Sequence, residues 1–308
     1  SQEMRSRENP VRFTSLPERI CGQRNWDYRY CWLRDATFTL AALMQSGYIE
    51  EAKAWRQWLL RAVAGKGAEL HIMYGLAGER RLPELELPWL PGYESSKPVR
   101  IGNAAYDQFQ LDVFGEVLDC LHLGRRFDLN DDSGDWRIER ELLDRLEAVW
   151  QEPDEGIWEV RGPKRHFTHS KLMAWVAFDR AVKDVERFGL DGPIERWRHL
   201  RNQLHREICD QGFNTDRNTF VQSYETKCLD ASLLLIALVG FLPAEDARVR
   251  GTVEAIEREL VVDGLVQRYA TTTGLDGLPP GEGVFLPCSF WLADNLELIG
   301  REQEARAL

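Results

Sequence analysis

Long apolar runs are missing from this 308-residue chain: the longest, Leu233–Leu242, is interrupted by Gly240. It falls short of the ~18 uninterrupted apolar residues of a membrane helix, so no span of that kind is expected. Cysteine is sparse, and Cys21, Cys31, Cys120, Cys209, Cys228 and Cys288 lie far apart without Cys-x-x-Cys spacing. That pattern implies neither a zinc site nor a disulfide framework, and the thiols read as buried and free. Basic residues are also in deficit, 39 Lys and Arg against 50 Asp and Glu, for a net charge of −11. A nucleic-acid backbone or an anionic membrane surface would need a positive face, so neither is expected as the main partner, and a neutral substrate fits better. The first ten residues, Ser1–Pro10, are charged and lack the apolar core of a secretory signal, so the chain reads as cytoplasmic or as a fragment.

What is present is a globular composition, 44% apolar and 29% charged, in a chain long enough for one large core or two ordinary ones. Periodicity of apolar residues places helices at about Arg34–Ser46, Glu50–Ala64, Ala104–Leu123, Asp135–Trp150, Phe167–Phe188, Pro193–Cys209, Thr226–Phe241, Ala244–Val262 and Leu286–Ile299, with another opening at Arg301. Strand signals are weak and local. The longest irregular segment, Lys66–Gly102, includes Gly75, Gly78, Pro83, Pro88, Pro91, Gly92 and Pro98, and loops of that length in a compact domain are usually functional.

The helices alternate in character. Those beginning near Arg34, Ala104, Phe167, Thr226 and Leu286 are apolar nearly all round, as in Leu229–Leu238, whereas the others carry one apolar stripe and a charged face, as in Asp135–Leu143. Helices apolar all round are buried and striped ones cover them, so Glu139 is expected to face solvent and its replacement by Gln to be nearly silent. The buried helices recur about every 60 residues, each paired with a solvent-facing one, the mark of a helical-hairpin repeat. Five pairs are visible, the last incomplete. The fold class expected is all-α, an (α/α)6 toroid or barrel of helical hairpins lacking the sixth hairpin, with the loops before the inner helices gathered at one end.

Four of those loops carry chemistry. Asn25–Asp35 packs Trp26, Tyr28, Tyr30 and Trp32 beside Arg34 and Asp35 at a helix start, where aromatic faces suit a pyranose and the charged pair suits two neighbouring hydroxyls. A buried ion pair among core aromatics is the plainer reading. Arg100, Asn103, Asp107 and Gln108 suit hydroxyl recognition, although Asn103 is equally suited to capping a helix. In Asp154-x-Gly-Ile-Trp-Glu159 a carboxyl follows a Gly turn, and Trp158 offers a low-dielectric wall that would raise its pKa and let it deliver a proton. The alternative is an exposed turn glutamate. Before the fifth inner helix come Arg268, Tyr269, Glu282 between two glycines, and Phe285; Glu282 is a second candidate carboxylate or a plain turn residue. Asp131-Asp132-Ser133-Gly134-Asp135 reads as a turn with a helix cap, and His166 with His169 lacks a third ligand, so no metal and no cofactor are implied.

Taken in order, SLPE at 15–18, RNWDYRYCWLRDA at 24–36, PVRIGNAAYDQFQLD at 98–112, GIWEVRGPKRHFTHSKLMAW at 156–175 and EGVFLPCSFWLADNL at 282–296 resemble glycoside hydrolase family 15, the glucoamylase, glucodextranase and trehalase family. Several long collinear motifs carry the resemblance, which covers residues 15–308 as a catalytic domain and leaves 1–14 unmatched. It implies an (α/α)6 barrel and a glycosidase inverting the α-glucosidic bond of trehalose, a maltooligosaccharide or an isomaltooligosaccharide. It implies Glu159 as general acid, preceded by Trp158; Tyr28, Trp32, Arg34 and Asp35 as the floor for the terminal glucose; and Arg268, Tyr269 and Phe285 as pocket lining. The family's general base lies in an LSEEYD-like segment before the sixth inner helix, which this sequence does not contain, and its N-terminal β-sandwich is absent too. Glu282 is therefore expected to bind sugar, and the 308 residues by themselves to be inactive. Two other readings are an (α/α) barrel phosphorylase using Arg165, His169 and Lys171 as an anion site, and a catalytically dead carbohydrate-binding scaffold.

Overall fold

The computed structural model describes residues 17–63, 70–129, 133–271, 274, 277 and 284–308. Helices α1 (Leu33–Gln45), α2 (Ile49–Val63), α3 (Asp112–Arg126), α4 (Ser133–Val149), α5 (Thr168–Phe188), α6 (Ile194–Gln211), α7 (Leu235–Leu238), α8 (Ala247–Leu260), α9 (Pro287–Leu298) and α10 (Glu302–Ala307) carry the fold. The all-α class expected from the sequence holds, because the strands among the described residues are all two residues long. They pair antiparallel as β1 (Cys31–Trp32) with β2 (Met73–Tyr74), β3 (Leu85–Glu86) with β4 (Arg100–Ile101), β5 (Phe213–Asn214) with β6 (Thr219–Phe220), and β7 (Val261–Val262) with β8 (Leu265–Val266).

The chain folds as two compact units, one of residues up to Gln151 together with Met173–Arg201, the other of Glu152–Leu172 together with Asn202–Leu308. In the first, α1 buries Leu33, Ala36, Leu40 and Met44, a stripe spaced by three or four residues, and packs on α2 and α3. Gly47 ends α1 in the left-handed region (φ 83°), and the backbone N–H of Tyr48 reaches back to the Leu43 carbonyl. Helix α3 comes so close to the chain at Met173 that a Cβ on Gly115 would stand 2.1 Å from the Met173 carbonyl oxygen. In the second unit, α9 starts with Pro287, whose missing N–H is no loss in a first turn, and packs on α7 and α10.

Two expected helices are shorter than their sequence patterns suggest. Ala104–Leu123 breaks into a 3-10 turn, Ala104–Asp107, followed by α3. Thr226–Phe241 reduces to a 3-10 turn at Ala231–Leu234 that runs into the four residues of α7. The reason is long-range: Gln222 N–H donates to the Cys228 carbonyl, and Asp230 pairs as an isolated bridge with Tyr269, which holds 228–230 extended. At the other end Gly240, at φ 78°, stops α7. The expected outward orientation of α4 also fails at one position, since Glu139 is fully buried and accepts hydrogen bonds from Arg125. Of the Asp-rich turn, Asp131 and Asp132 lie outside the described residues; Asp135 forms an ion pair with the buried Arg56 at 2.6 Å.

Candidate active site

The sugar-site residues expected from the sequence fall into two clusters, one in each unit. In the first unit, β1 leads directly into α1, which puts Trp32 just before the helix and Arg34 and Asp35 in its first turn, both nearly inaccessible. Arg34 approaches Asp35 at 3.5 Å and Asp112 of α3 at 3.7 Å, so the buried ion-pair reading of this motif holds. Glu116 lies one turn beyond Asp112 and accepts a hydrogen bond from Thr37 at 3.3 Å. Burial, with Asp112 beside it, pushes the Glu116 carboxyl well above its usual range against the pull of Arg34.

Preceding these residues, Trp26 Nε1–H and the Tyr28 hydroxyl both donate to Glu18 Oε1 at 3.1 Å, and the Tyr28 and Trp32 rings lie 5.9 Å apart. Asp27 accepts from Arg29, from the Tyr30 hydroxyl at 3.0 Å and from the Gly102 N–H at 3.0 Å. Burial works to raise its pKa, but the Arg29 and Tyr30 hydrogen bonds prevail and hold it below the usual carboxylate value. Arg100 lies 4.7 Å over Trp26 and donates to the carbonyls of Gln23 and Asn25, while Asn103 accepts from the Ala105 N–H as a cap. Arg100 and Asn103 are thus engaged in building the loop, and for Asn103 the capping reading is the one observed.

In the second unit a loop leaves Asp154 and returns at Arg165, closed by a reciprocal pair of backbone hydrogen bonds at 3.0 and 2.9 Å. Inside it Gly156 (φ 70°) turns the chain against Phe167, and the Glu159 N–H donates back to the Gly156 carbonyl at 3.1 Å. Glu159 itself has φ 55°, a left-handed conformation that costs a non-glycine residue energy and tends to persist at functional positions. Around the neighbouring Trp158 ring stand Phe285 at 5.8 Å, Tyr269 and Trp291 at 6.5 Å, and the Arg268 guanidinium at 5.4 Å. The structure therefore brings Arg268, Tyr269 and Phe285 around Trp158, the residue that precedes Glu159. Glu282 lies outside the described residues.

Sequence reasoning missed Trp291 and Asp230 in this cluster. Asp230 accepts the Trp158 Nε1–H at 2.9 Å from both of its oxygens, and its signal was an acidic residue in an apolar run. Of the residues expected to form an anion site, His169 and Lys171 are buried, 2% and 1% exposed; Lys171 donates to the Glu152 carbonyl at 3.1 Å, and burial lowers its amine below the ordinary value. His166 stacks on Tyr224 with ring centres 6.0 Å apart.

The family model "Glycosyl hydrolases family 15" matches residues 5–307. The chain is 44% identical over 298 residues to a trehalase of Mycobacterium tuberculosis, which covers 96% of this chain and 44% of that protein. A trehalase of Thermoplasma acidophilum is 38% identical over 294 residues, covering 95% of this chain and 50% of the relative. The chain thus spans about half the length of these curated relatives. Among solved structures, a wild-type glycosidase superposes over 99% of this chain and 80% of its own with a TM-score of 0.72 at 17% identity. At that identity the likeness shows the fold, the (α/α)6 class expected from the sequence.

Proposed function

The chain belongs to glycosyl hydrolase family 15, and from that premise we propose that the protein carrying it hydrolyses the α-glucosidic bond of trehalose with inversion, Glu159 supplying the proton. The observation that carries the reading is the Trp158–Glu159 turn. A carboxyl is held in a strained backbone position beside Trp158, around which Tyr269, Phe285 and Trp291 form an aromatic cluster with Arg268 across the indole face. Aromatic faces take the apolar side of a pyranose, and polar groups among them orient its hydroxyls. Trehalose is preferred to longer α-glucans because the relatives at 38% and 44% identity are named as trehalases.

In this mechanism the Glu159 carboxyl donates its proton to the glycosidic oxygen as the C–O bond breaks, and the leaving glucose departs as a neutral alcohol. A water attacks the opposite face of the anomeric carbon, which needs a second carboxylate about 6.5–9.5 Å from the first. Arg268, Tyr269, Phe285 and Glu282 are assigned to sugar contacts.

Proton NMR of fresh digests tests the reading. Inversion at one anomeric carbon of α,α-trehalose gives one β-glucose and one α-glucose, whereas retention gives two α-glucose molecules. An initial equimolar mixture is expected. Initial release of α-glucose alone removes inversion, and release from maltose or isomaltose but not trehalose moves the substrate to those linkages.

A further inference from the structure

Asp230 is 2% exposed and gathers four donor groups. Oδ1 accepts from the Ser232 N–H at 2.8 Å and the Ser232 hydroxyl at 2.6 Å; Oδ2 accepts from Gln222 Nε2 at 2.8 Å; and the Trp158 Nε1–H lies 2.9 Å from both oxygens. An acceptor-only group is what four donors require, and an ionised carboxylate is the side chain that supplies it. Burial raises the pKa of Asp230 above the usual carboxylate value, and the hydrogen bonds from Ser232, Trp158 and Gln222 limit that rise.

Capping alone does not explain this arrangement. Asp230 is the N-cap of the 3-10 turn Ala231–Leu234, but that task uses Oδ1 and the Ser232 N–H only. Oδ2 takes the Gln222 amide, and the indole N–H is shared between both oxygens. The backbone of the same residue pairs with Tyr269, and the next N–H, that of Ala231, donates to the Arg268 carbonyl at 2.8 Å. One residue therefore grips Trp158 through its side chain and is bonded into the Arg268–Tyr269 segment through its backbone. Arg268 and Tyr269 in turn stand against the Trp158 ring.

We propose that Asp230 is a positioning residue: its buried carboxylate fixes the Trp158 indole and, through the shared turn, the direction in which Glu159 presents its carboxyl. The catalytic half of this inference rests on the reading of Glu159 as the acid. Trp158 and Glu159 are adjacent in one turn, with Glu159 in the left-handed region, and the Trp158 indole ties that turn to Asp230, so a turn released from this anchor is free to shift the Glu159 backbone and its carboxyl with it. Displacements near 1 Å at a reacting group can cost about 10²-fold in rate.

Asp230→Asn separates the roles, because Asn is as good a cap as Asp but turns an amide donor toward Gln222 and the indole. The protein is labelled with 5-fluorotryptophan, and the Trp158 signal is identified by its loss in Trp158→Phe. The fluorine resonance of Trp158 is expected to shift or broaden in Asp230→Asn while the other tryptophan signals stay in place, and kcat on trehalose is expected to fall roughly 10–100-fold. KM should change less than kcat, and the melting temperature should stay close to wild type. An unmoved Trp158 resonance in a folded Asp230→Asn protein overturns the proposal, and so does a moved resonance with wild-type kcat. Should Asp230→Asn fail to fold, the Trp158 Nε1–H of the wild type decides: slow solvent exchange supports the anchor, and exchange as fast as that of an exposed indole overturns it. Wild-type turnover by Glu159→Gln would instead remove the acid assignment and leave the resonance result standing, so the two failures are distinguishable.

Discussion

Arg125 of α3 and Glu139 of α4 are bonded to each other in the interior of the first unit, with Nη1 of the arginine donating to Oε2 of the glutamate at 2.9 Å and both residues under 5% exposed. Arg125 also pairs with Asp184, and the Trp136 ring covers the guanidinium at 5.2 Å. Removing one partner from such a pair leaves donors without acceptors and a void. Glu139→Ala is therefore expected to destabilise the protein by about 3 kcal/mol. Glu141→Gln, two residues on, breaks only an exposed pair with Arg137 and should stay within about 0.5 kcal/mol. Urea unfolding of the two variants checks this, and equal effects would refute the buried pairing.

The same residue gives the stability a dependence on pH. Burial pushes the Glu139 carboxyl up to about 7, against the pull of Arg125, so the folded protein holds a proton that the unfolded chain releases from about 4.5 upward. A raised folded pKa contributes stability that is complete below the unfolded value and lost as pH rises through the folded one. Stability is thus expected to fall between about pH 4.5 and 7, with Glu116, raised in the same direction, adding to the trend. Glu139→Gln cannot titrate, so its melting temperature should decline less over that window. A decline as steep as that of wild type would sink the assignment.

Much of this was readable in the sequence where local signals and burial agree. Helix α1 ends where Gly47 is needed, α9 begins at Pro287, and the run Leu33, Ala36, Leu40, Met44 declares its buried face. What was unreadable depends on partners distant in the chain. Asp230 looked like a residue in an apolar helix, but its backbone is claimed by Tyr269 and its carboxylate by Trp158, 72 positions away. Propensity is a weak prior against such tertiary demands. Glu139 matched a solvent-facing pattern because nothing local shows that Arg125 is beside it. Trp158, Arg268, Tyr269 and Phe285, singled out by residue type in the sequence, are brought together by the fold. Asn103, equally open to sugar contact or capping, has its side-chain oxygen on the Ala105 N–H.

Close approach at Gly115 makes a further demand on the first unit. An added Cβ would lie 2.1 Å from the Met173 carbonyl oxygen and 2.6 Å from its carbon, both backbone atoms that cannot swing aside. Alanine is the better helix former by about 1 kcal/mol at an unhindered site. Here steric conflict outweighs that gain, and Gly115→Ala is expected to lose about 1–3 kcal/mol. Stabilisation by this substitution, measured in chemical denaturation, would show that the contact yields.

Glu159 should show a conflict between stability and activity. Its left-handed backbone, φ 55°, costs an L-residue roughly 1–2 kcal/mol that glycine escapes. Glu159→Gly is therefore expected to be more stable than Glu159→Ala by about 1 kcal/mol, since both lack the carboxyl and differ mainly in that backbone cost. Neither should turn over trehalose at a useful rate. Glu159→Gln keeps the shape but has no proton to give, and it should lose roughly 10²–10⁴ in kcat, the usual worth of general acid catalysis. Its sugar affinity, measured by calorimetry, should change little, because the aromatic lining around Trp158 is left intact. Thermal denaturation of the Gly and Ala variants and single-turnover kinetics of the Gln variant test the two halves independently. Equal stability of Gly and Ala removes the strain argument, and wild-type turnover of Gln removes Glu159 as the acid.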